Sequence, residues 1–286
     1  MTVRLLAILG MGLVDPSTPV AAADDAGITR GDGCFEGCRV VTTADGVSRV
    51  DKLDAHLARM RRSADALEIA FEPLDWASLV ATVCQAWRVP GEAALKLVLT
   101  RGRPGAGPTG FLTVSDLPSH YPQQRRDGLR VVSLTHGTSH DAYSSAQWLL
   151  GGVKTLSYAV NMAAIREAAR RGADDVIFTS IEGQVLESAI SSVVWATGGV
   201  LRTTPAGPTG ILGGTTQQLL FDRAAAAGRP TEITAATLAD LHEADVLWLV
   251  GSVRGPVDVI ELDGKERARR PDLDAEIRRL AGFPAP

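Results

Sequence analysis

Between Pro118 and Asp127 the chain reads PSHYPQQRRD, a stretch with two prolines, polar side chains and no apolar periodicity. Such a run offers neither a helix nor a strand a face to bury, so residues 118–127 are expected as a linker. The full length is 286 residues, and domains usually contain about 100–200 residues. The expected organisation is therefore an N-terminal domain over 1–117 and a C-terminal domain over 128–286. Hydrophobic residues make up 45% and charged residues 22% of the chain, the balance of a globular protein with its own core. The net charge of −4 comes from interspersed acids and bases, which argues against a nucleic-acid partner.

Cys34, Cys38 and Cys84 show no CxxC spacing and cannot all pair with one another; a cytoplasmic location is expected. Met1 to Ala23 carries Arg4, an apolar run and three consecutive alanines, the parts of a secretory leader. Asp15-Pro16-Ser17 breaks that run with a turn, and Leu5 to Leu9 followed by Gly10 and Gly12 reads instead as a strand and turn. No stretch has the length of a membrane span.

Ala44-Asp45-Gly46 is a hairpin signal between strands at Arg39 to Thr43 and Val47 to Val50. From Leu53, the residues Leu57, Met60, Ala64 and Leu67 recur at helical spacing, which aligns His56, Arg59 and Ser63 on another stripe. A second helix is expected from Trp76 to Trp87, then a strand from Ala94 to Thr100 and a loop from Gly102 to Gly110. Beyond the linker, strands are expected at Leu129 to Leu134, Asp175 to Ser180, Val185 to Trp195, Val246 to Gly251 and Val257 to Leu262. Helices are expected from Ala159 to Arg171, closed by Gly172, and from Thr215 to Ala227.

Lys154 lies in Gly151-Gly152-Val153-Lys154-Thr155-Leu156-Ser157-Tyr158, among apolar residues and glycines. A lysine kept from water must be paired or used covalently, although one at a strand end can equally snorkel to solvent. Glu187 is the one acid in Val185 to Trp195 and is flanked by small residues that leave room for a planar ligand. A buried carboxylate there needs a positive partner, such as a protonated pyridine nitrogen; on an exposed face it needs none. Gly210-Ile211-Leu212-Gly213-Gly214-Thr215-Thr216 opens directly into a helix. Free backbone N–H groups and threonine hydroxyls there suit a phosphate, or serve as ordinary caps. Arg59 could supply the matching charge, with Arg61 and Arg62 as competitors. The five histidines show no metal-ligand spacing, so no metal is expected.

Four segments occur in the order of the class IV aminotransferase motifs: RGDGCFEGCRV, HLARMRRSA, KTLSYAVNMAAIREAARRGADDVIFTSIEGQVLES and GILGGTTQQLL. From Gly27 to Gly264 the chain resembles this family of branched-chain aminotransferase-like, fold type IV pyridoxal-phosphate enzymes. The resemblance implies an α+β, two-domain fold of the D-amino-acid aminotransferase type with pyridoxal 5'-phosphate between the domains. By the same similarity Lys154 is the Schiff-base lysine and Glu187 contacts the pyridine nitrogen. Arg59, Thr215 and Thr216 hold the phosphate with support from Ser252, and Tyr158 lines the ring side. A homodimer acting on a small-molecule amine is implied as well.

Gly31 to Phe35 and Ala94 to Gly102 look closest to 4-amino-4-deoxychorismate lyase, which forms 4-aminobenzoate and pyruvate. The Tyr-x-Arg of branched-chain enzymes is replaced by Ala94-Leu95-Lys96, and the Arg-x-His of D-amino-acid transaminases by Ala106-Gly107-Pro108. Glu36-Gly37-Cys38-Arg39 leans the other way, toward a branched-chain, D-amino acid or amine aminotransferase that passes the amino group to a 2-oxo acid. Arg39, Lys96 and Arg101 are the candidates for holding the substrate.

Overall fold

The amino-terminal residues form a strand and turn: β1 (Val3–Ile8) reverses through Gly10 into β2 (Gly12–Val14). In this computed structural model residues 2–283 are described; Met1, where the leader-like stretch starts, and the last residues of the expected 128–286 domain lie outside them. The chain divides into two units. One holds the residues up to Pro118 together with Val153–Tyr158, and the other holds Ser119–Gly152 and the residues from Ala159 onward.

The first unit continues with α1 (Ala26–Thr29), β3 (Gly33–Thr42), β4 (Ser48–Val50), α2 (Leu53–Ala66), α3 (Pro73–Ala86), β5 (Gly91–Arg103) and β6 (Gly107–Asp116). The strands form one sheet in the order β2-β1-β6-β5-β3-β4. The hairpin signal closes the β3–β4 turn, where Thr42 pairs with Ser48. The loop expected from Gly102 to Gly110 is instead a tight hairpin turn between β5 and β6. Gly102, Gly105 and Gly107 have φ values of +78°, +77° and +80°, a conformation that costs glycine little. Helix α2 buries the expected apolar stripe of Leu57, Met60 and Ala64, and also His56, Arg59 and Ser63. It lies against β3, so a polar stripe is carried into the interior of the unit.

The second unit begins with α4 (His120–Asp127), where the sequence suggested a linker. Polar side chains hold this helix in place of an apolar face: the Arg125 guanidinium donates to the carbonyls of Val253 and Arg254. There follow β7 (Leu129–Thr135), α5 (Ala159–Arg170), β8 (Asp175–Thr179), β9 (Val185–Ser188), β10 (Ser192–Thr197) and β11 (Val200–Thr203). Next come α6 (Thr215–Ala226), β12 (Thr231–Ile233), α7 (Leu238–Glu243), β13 (Val246–Gly251), β14 (Gly255–Leu262), β15 (Lys265–Glu266) and α8 (Pro271–Leu280). The sheet order is β12-β11-β10-β13-β14-β7-β8-β9, with β15 on β14. Strand β13 is buried on both faces: Leu247 and Leu249 enter one core cluster, and Val246, Trp248 and Val250 the other. That explains its unbroken apolar run. The single strand expected from Val185 to Trp195 is two, because the chain turns between them and the Ser188 N–H donates to the Ser191 carbonyl.

Val153–Tyr158 docks on the edge of β3. The Phe35 N–H donates to the Lys154 carbonyl at 3.0 Å, and the Leu156 N–H to the Gly33 carbonyl at 2.8 Å. Gly33 makes this approach possible, since a Cβ there would lie 2.7 Å from Leu156 Cδ1 and 2.5 Å from the Leu99 carbonyl oxygen. Gly33→Ala should therefore cost about 1–3 kcal/mol through overpacking, read as a lower urea midpoint. An unchanged midpoint would contradict the close approach.

Candidate functional site

In the first unit, the docked segment leaves the Lys154 side chain half-buried beside two aromatic rings. Its Nζ donates to the Tyr158 hydroxyl at 3.3 Å and lies 4.4 Å from the centroid of Phe35. Phe35 and Tyr158 meet edge to face at 5.1 Å. The Lys154 backbone N–H donates to Ser63 Oγ on α2 at 3.2 Å. Main chain and side chain are thus both tied to neighbours, as required of an amine that must meet a ligand in one orientation.

Strand alternation turns Phe35 and Glu36 to opposite sides of β3. Glu36 is fully buried: its Oε1 accepts Arg59 Nε and its Oε2 accepts Arg59 Nη2, both at 2.7 Å, and His56 Nδ1 stands 2.7 Å from that same Oε2. Burial by itself would raise the Glu36 carboxyl, but Arg59 and His56 outweigh it and hold it down to about 2. Burial depresses His56 in spite of Glu36, so its imidazole is neutral near pH 7. Arg59 is pushed above its ordinary value because the bidentate contact with Glu36 outweighs desolvation. Of the three competing arginines only Arg59 is buried; Arg61 and Arg62 face solvent, and Arg61 pairs with Asp65. Cys38 joins Glu36 and His56 in a cluster whose ligand-capable atoms lie within 4.8 Å of one another. Because Arg59 occupies both oxygens of Glu36, this carboxylate works as an arginine anchor.

Two of the three substrate candidates are engaged elsewhere. Arg39 is buried, with Nε and Nη2 on Asp51 and Nη1 on Glu92 at 2.7 Å. Its guanidinium is engaged by both acids. Arg101 grips the Asp32 carboxylate and donates to the Leu67 carbonyl at 2.6 Å, tying β5 to the end of α2. Lys96 differs from both. Its Nζ is 4.8 Å from the same Phe35 ring that Lys154 approaches, and burial lowers its pKa.

In the second unit, Glu187 is half-buried and its Oε2 accepts the Leu212 N–H at 3.2 Å. It lines a cavity with His136, Tyr143, Asn161, Phe178 and Ile211. Separately, Ser252 Oγ stands 3.0 Å from the Thr215 hydroxyl and 2.9 Å from that of Thr216, at the first turn of α6. That turn has no acidic residue, and its N-cap Gly214 provides no side-chain capping bond. A Cβ on Gly214 would lie 2.4 Å from Ser192 Oγ. Three hydroxyls and a helix N-terminus beside a glycine are the donor set of a phosphate cradle.

Sequence reasoning missed Glu36 as the anchor of Arg59 and Phe35 as the platform for Lys154. The available signal was the alternation of β3, which sets one acid between Cys34 and Cys38 on a face otherwise read as core.

The amino-transferase class IV family model matches residues 33–262. A bifunctional aminodeoxychorismate lyase / D-amino acid transaminase of Mycobacterium tuberculosis is 40% identical over 271 residues, covering 91% of each chain. The structure of a hypothetical aminotransferase from Mycobacterium tuberculosis, in a PLP-bound form, is 38% identical over 98% of each chain with a TM-score of 0.90. A fold IV-transaminase from Curtobacterium pusillum is 39% identical over 97% of this chain and 98% of its own, with a TM-score of 0.88. With the family model spanning both units and these identities over nearly the whole length, the chain belongs to the class IV aminotransferases and has their fold type IV architecture.

Proposed function

We propose that the chain is a pyridoxal 5'-phosphate-dependent 4-amino-4-deoxychorismate lyase that forms 4-aminobenzoate and pyruvate. The observation that carries this reading is Lys96 beside Phe35 and Lys154, with Arg39 neutralised by Asp51 and Glu92. The arginine that leaned toward an aminotransferase is occupied, while a lysine from the lyase-like segment faces the ring next to the reactive amine. Its ammonium suits a substrate bearing carboxylates. The similarity to a relative named for lyase activity supports the same choice.

The residues fit the cofactor. Thr215, Thr216, Ser252 and the α6 N-terminus offer donors for its phosphate, and Arg59, anchored by Glu36, would be a further phosphate donor as the family resemblance implies. Glu187 would keep a pyridine nitrogen protonated, and Tyr158, whose hydroxyl meets Lys154 Nζ at 3.3 Å, would orient that amine. When bound, the cofactor supplies an electron-withdrawing ring that takes up the electron pair left at the amine-bearing carbon. Lys154 Nζ would be the covalent attachment point, and its freed amine would act as the general base that takes the proton from the amine-bearing carbon of the substrate. Loss of that proton together with the enolpyruvyl group, released as pyruvate, would leave the aromatic ring of 4-aminobenzoate. A homodimer, implied by the family resemblance, would give the exposed Trp148 and Leu149 a surface to cover.

Amino transfer to a 2-oxo acid is the second reading, favoured by the bifunctional name of the relative. It needs an acceptor to return the cofactor to its starting form, whereas the elimination does not. The purified protein supplied with aminodeoxychorismate and no oxo acid is expected to release 4-aminobenzoate over many turnovers. Amino transfer from D- or branched-chain amino acids without any 4-aminobenzoate would replace the lyase with the transaminase. Glu187→Gln is expected to retain cofactor while turnover falls roughly tenfold to a hundredfold, the worth of about 1.5–3 kcal/mol for a charge-assisted hydrogen bond. Full activity in that variant would remove Glu187 from the mechanism.

A further inference from the structure

The second unit contains a buried ion pair that the mechanism does not use. Arg254 in the β13–β14 turn is 4% exposed and Asp175 at the start of β8 is fully buried. Arg254 Nη2 donates to Asp175 Oδ2 at 2.6 Å and to Ser191 Oγ at 3.0 Å. Asp175 Oδ1 accepts from Ser188 Oγ at 3.0 Å and from the Val176 N–H at 2.8 Å. One carboxylate and one guanidinium therefore hold both ends of the β9–β10 turn. The same turn is gripped from α5, where Asn161 donates to the Ala189 carbonyl at 2.8 Å.

The positions in the chain give this network its meaning. Glu187 immediately precedes Ser188, and Ser252 lies two residues before Arg254 in the turn that Arg125 fixes through the Val253 and Arg254 carbonyls. Arg254 Nε has no hydrogen-bond partner among the described residues. A buried pair kept with an unsatisfied donor is a poor way to add stability, and such pairs are better explained by the geometry they specify.

We infer that Arg254, through Asp175, is a positioning residue that sets the distance between the pyridine-binding carboxylate Glu187 and the phosphate-binding hydroxyls around Ser252. Its guanidinium is directed to Asp175 and Ser191. The inference rests on the proposed roles of Glu187, Thr216 and Ser252, and it explains how residues distant in sequence could match a rigid ligand of fixed length.

The test uses Ser188→Ala, Arg254→Lys and the paired replacement Asp175→Asn with Arg254→Met, which removes both charges so that neither is left buried alone. Three quantities are read: the Kd of the apo-protein for pyridoxal 5'-phosphate, the pH dependence of the bound cofactor's absorption band, and the Tm of the apo-protein. The paired replacement is expected to weaken cofactor binding roughly tenfold to a hundredfold and to displace the spectral titration; Arg254→Lys should do so less. Ser188→Ala should displace the spectral titration with a smaller change in Kd, because it frees the Glu187 end alone. If the paired replacement fails to fold, the other two variants decide. Unchanged Kd and spectra in the folded variants, or a change in Tm alone, would overturn the inference. Glu187→Gln and Thr216→Ala separate the two levels. If they alter cofactor binding or spectrum and the Arg254 variants do not, only this inference fails. If neither does, the cofactor reading fails and takes the inference with it.

Discussion

The backbone pairing of Val153–Tyr158 with β3 is the contact on which the proposed chemistry depends. Two hydrogen bonds, Phe35 N–H to the Lys154 carbonyl and Leu156 N–H to the Gly33 carbonyl, place the lysine by its main chain. Its side chain then needs only to be aimed, which Tyr158 and the Phe35 face accomplish. A lysine held at a sheet edge is better defined than one on a free loop. Lys154 is accordingly a residue of the first unit, although the chain on both sides of its segment belongs to the second.

The same strand serves a second purpose on its other face. Glu36 gathers Arg59 and His56 into a cluster with almost no exposure to water. Breaking a buried charge pair by removing one partner typically costs about 3–5 kcal/mol, so the loss of Glu36 would disturb the unit as well as Arg59. The cost of burying these charges is offset by fixing the guanidinium, whose remaining geometry follows once Nε and Nη2 are committed. Arg39 and Arg101 show the alternative use of arginine. Each is absorbed by neighbouring acids or carbonyls and serves the fold.

Much of this was legible in the sequence where one periodicity dominated. The α2 stripe of Leu57, Met60 and Ala64, the hairpin at Ala44 to Gly46 and the glycine entry to α6 all follow from local pattern. The stripe of His56, Arg59 and Ser63 was visible too, but not what it meets, because Glu36 and Lys154 reach it from distant parts of the chain. Failures came where tertiary contacts override local signals. PSHYPQQRRD has no apolar face, yet Arg125 finds carbonyls in a remote turn and the segment becomes α4. Val185 to Trp195 looked continuous because the residues of its turn are small or apolar; only the Ser188 to Ser191 hydrogen bond reveals the reversal. The ion pairs of Arg39 with Asp51 and Glu92 were not legible either, because Glu92 lies on a different strand far along the chain.

The amine fixed on β3, and no other, is the proposed attachment point of the cofactor. Reducing the pyridoxal 5'-phosphate-loaded protein with borohydride and mapping its peptides tests this directly. One pyridoxyl label is expected, on Lys154, lost when Lys154 is replaced by alanine and retained when Lys96 is replaced by methionine. A label on Lys96 or Lys52, or one that persists in the Lys154→Ala protein, would contradict it.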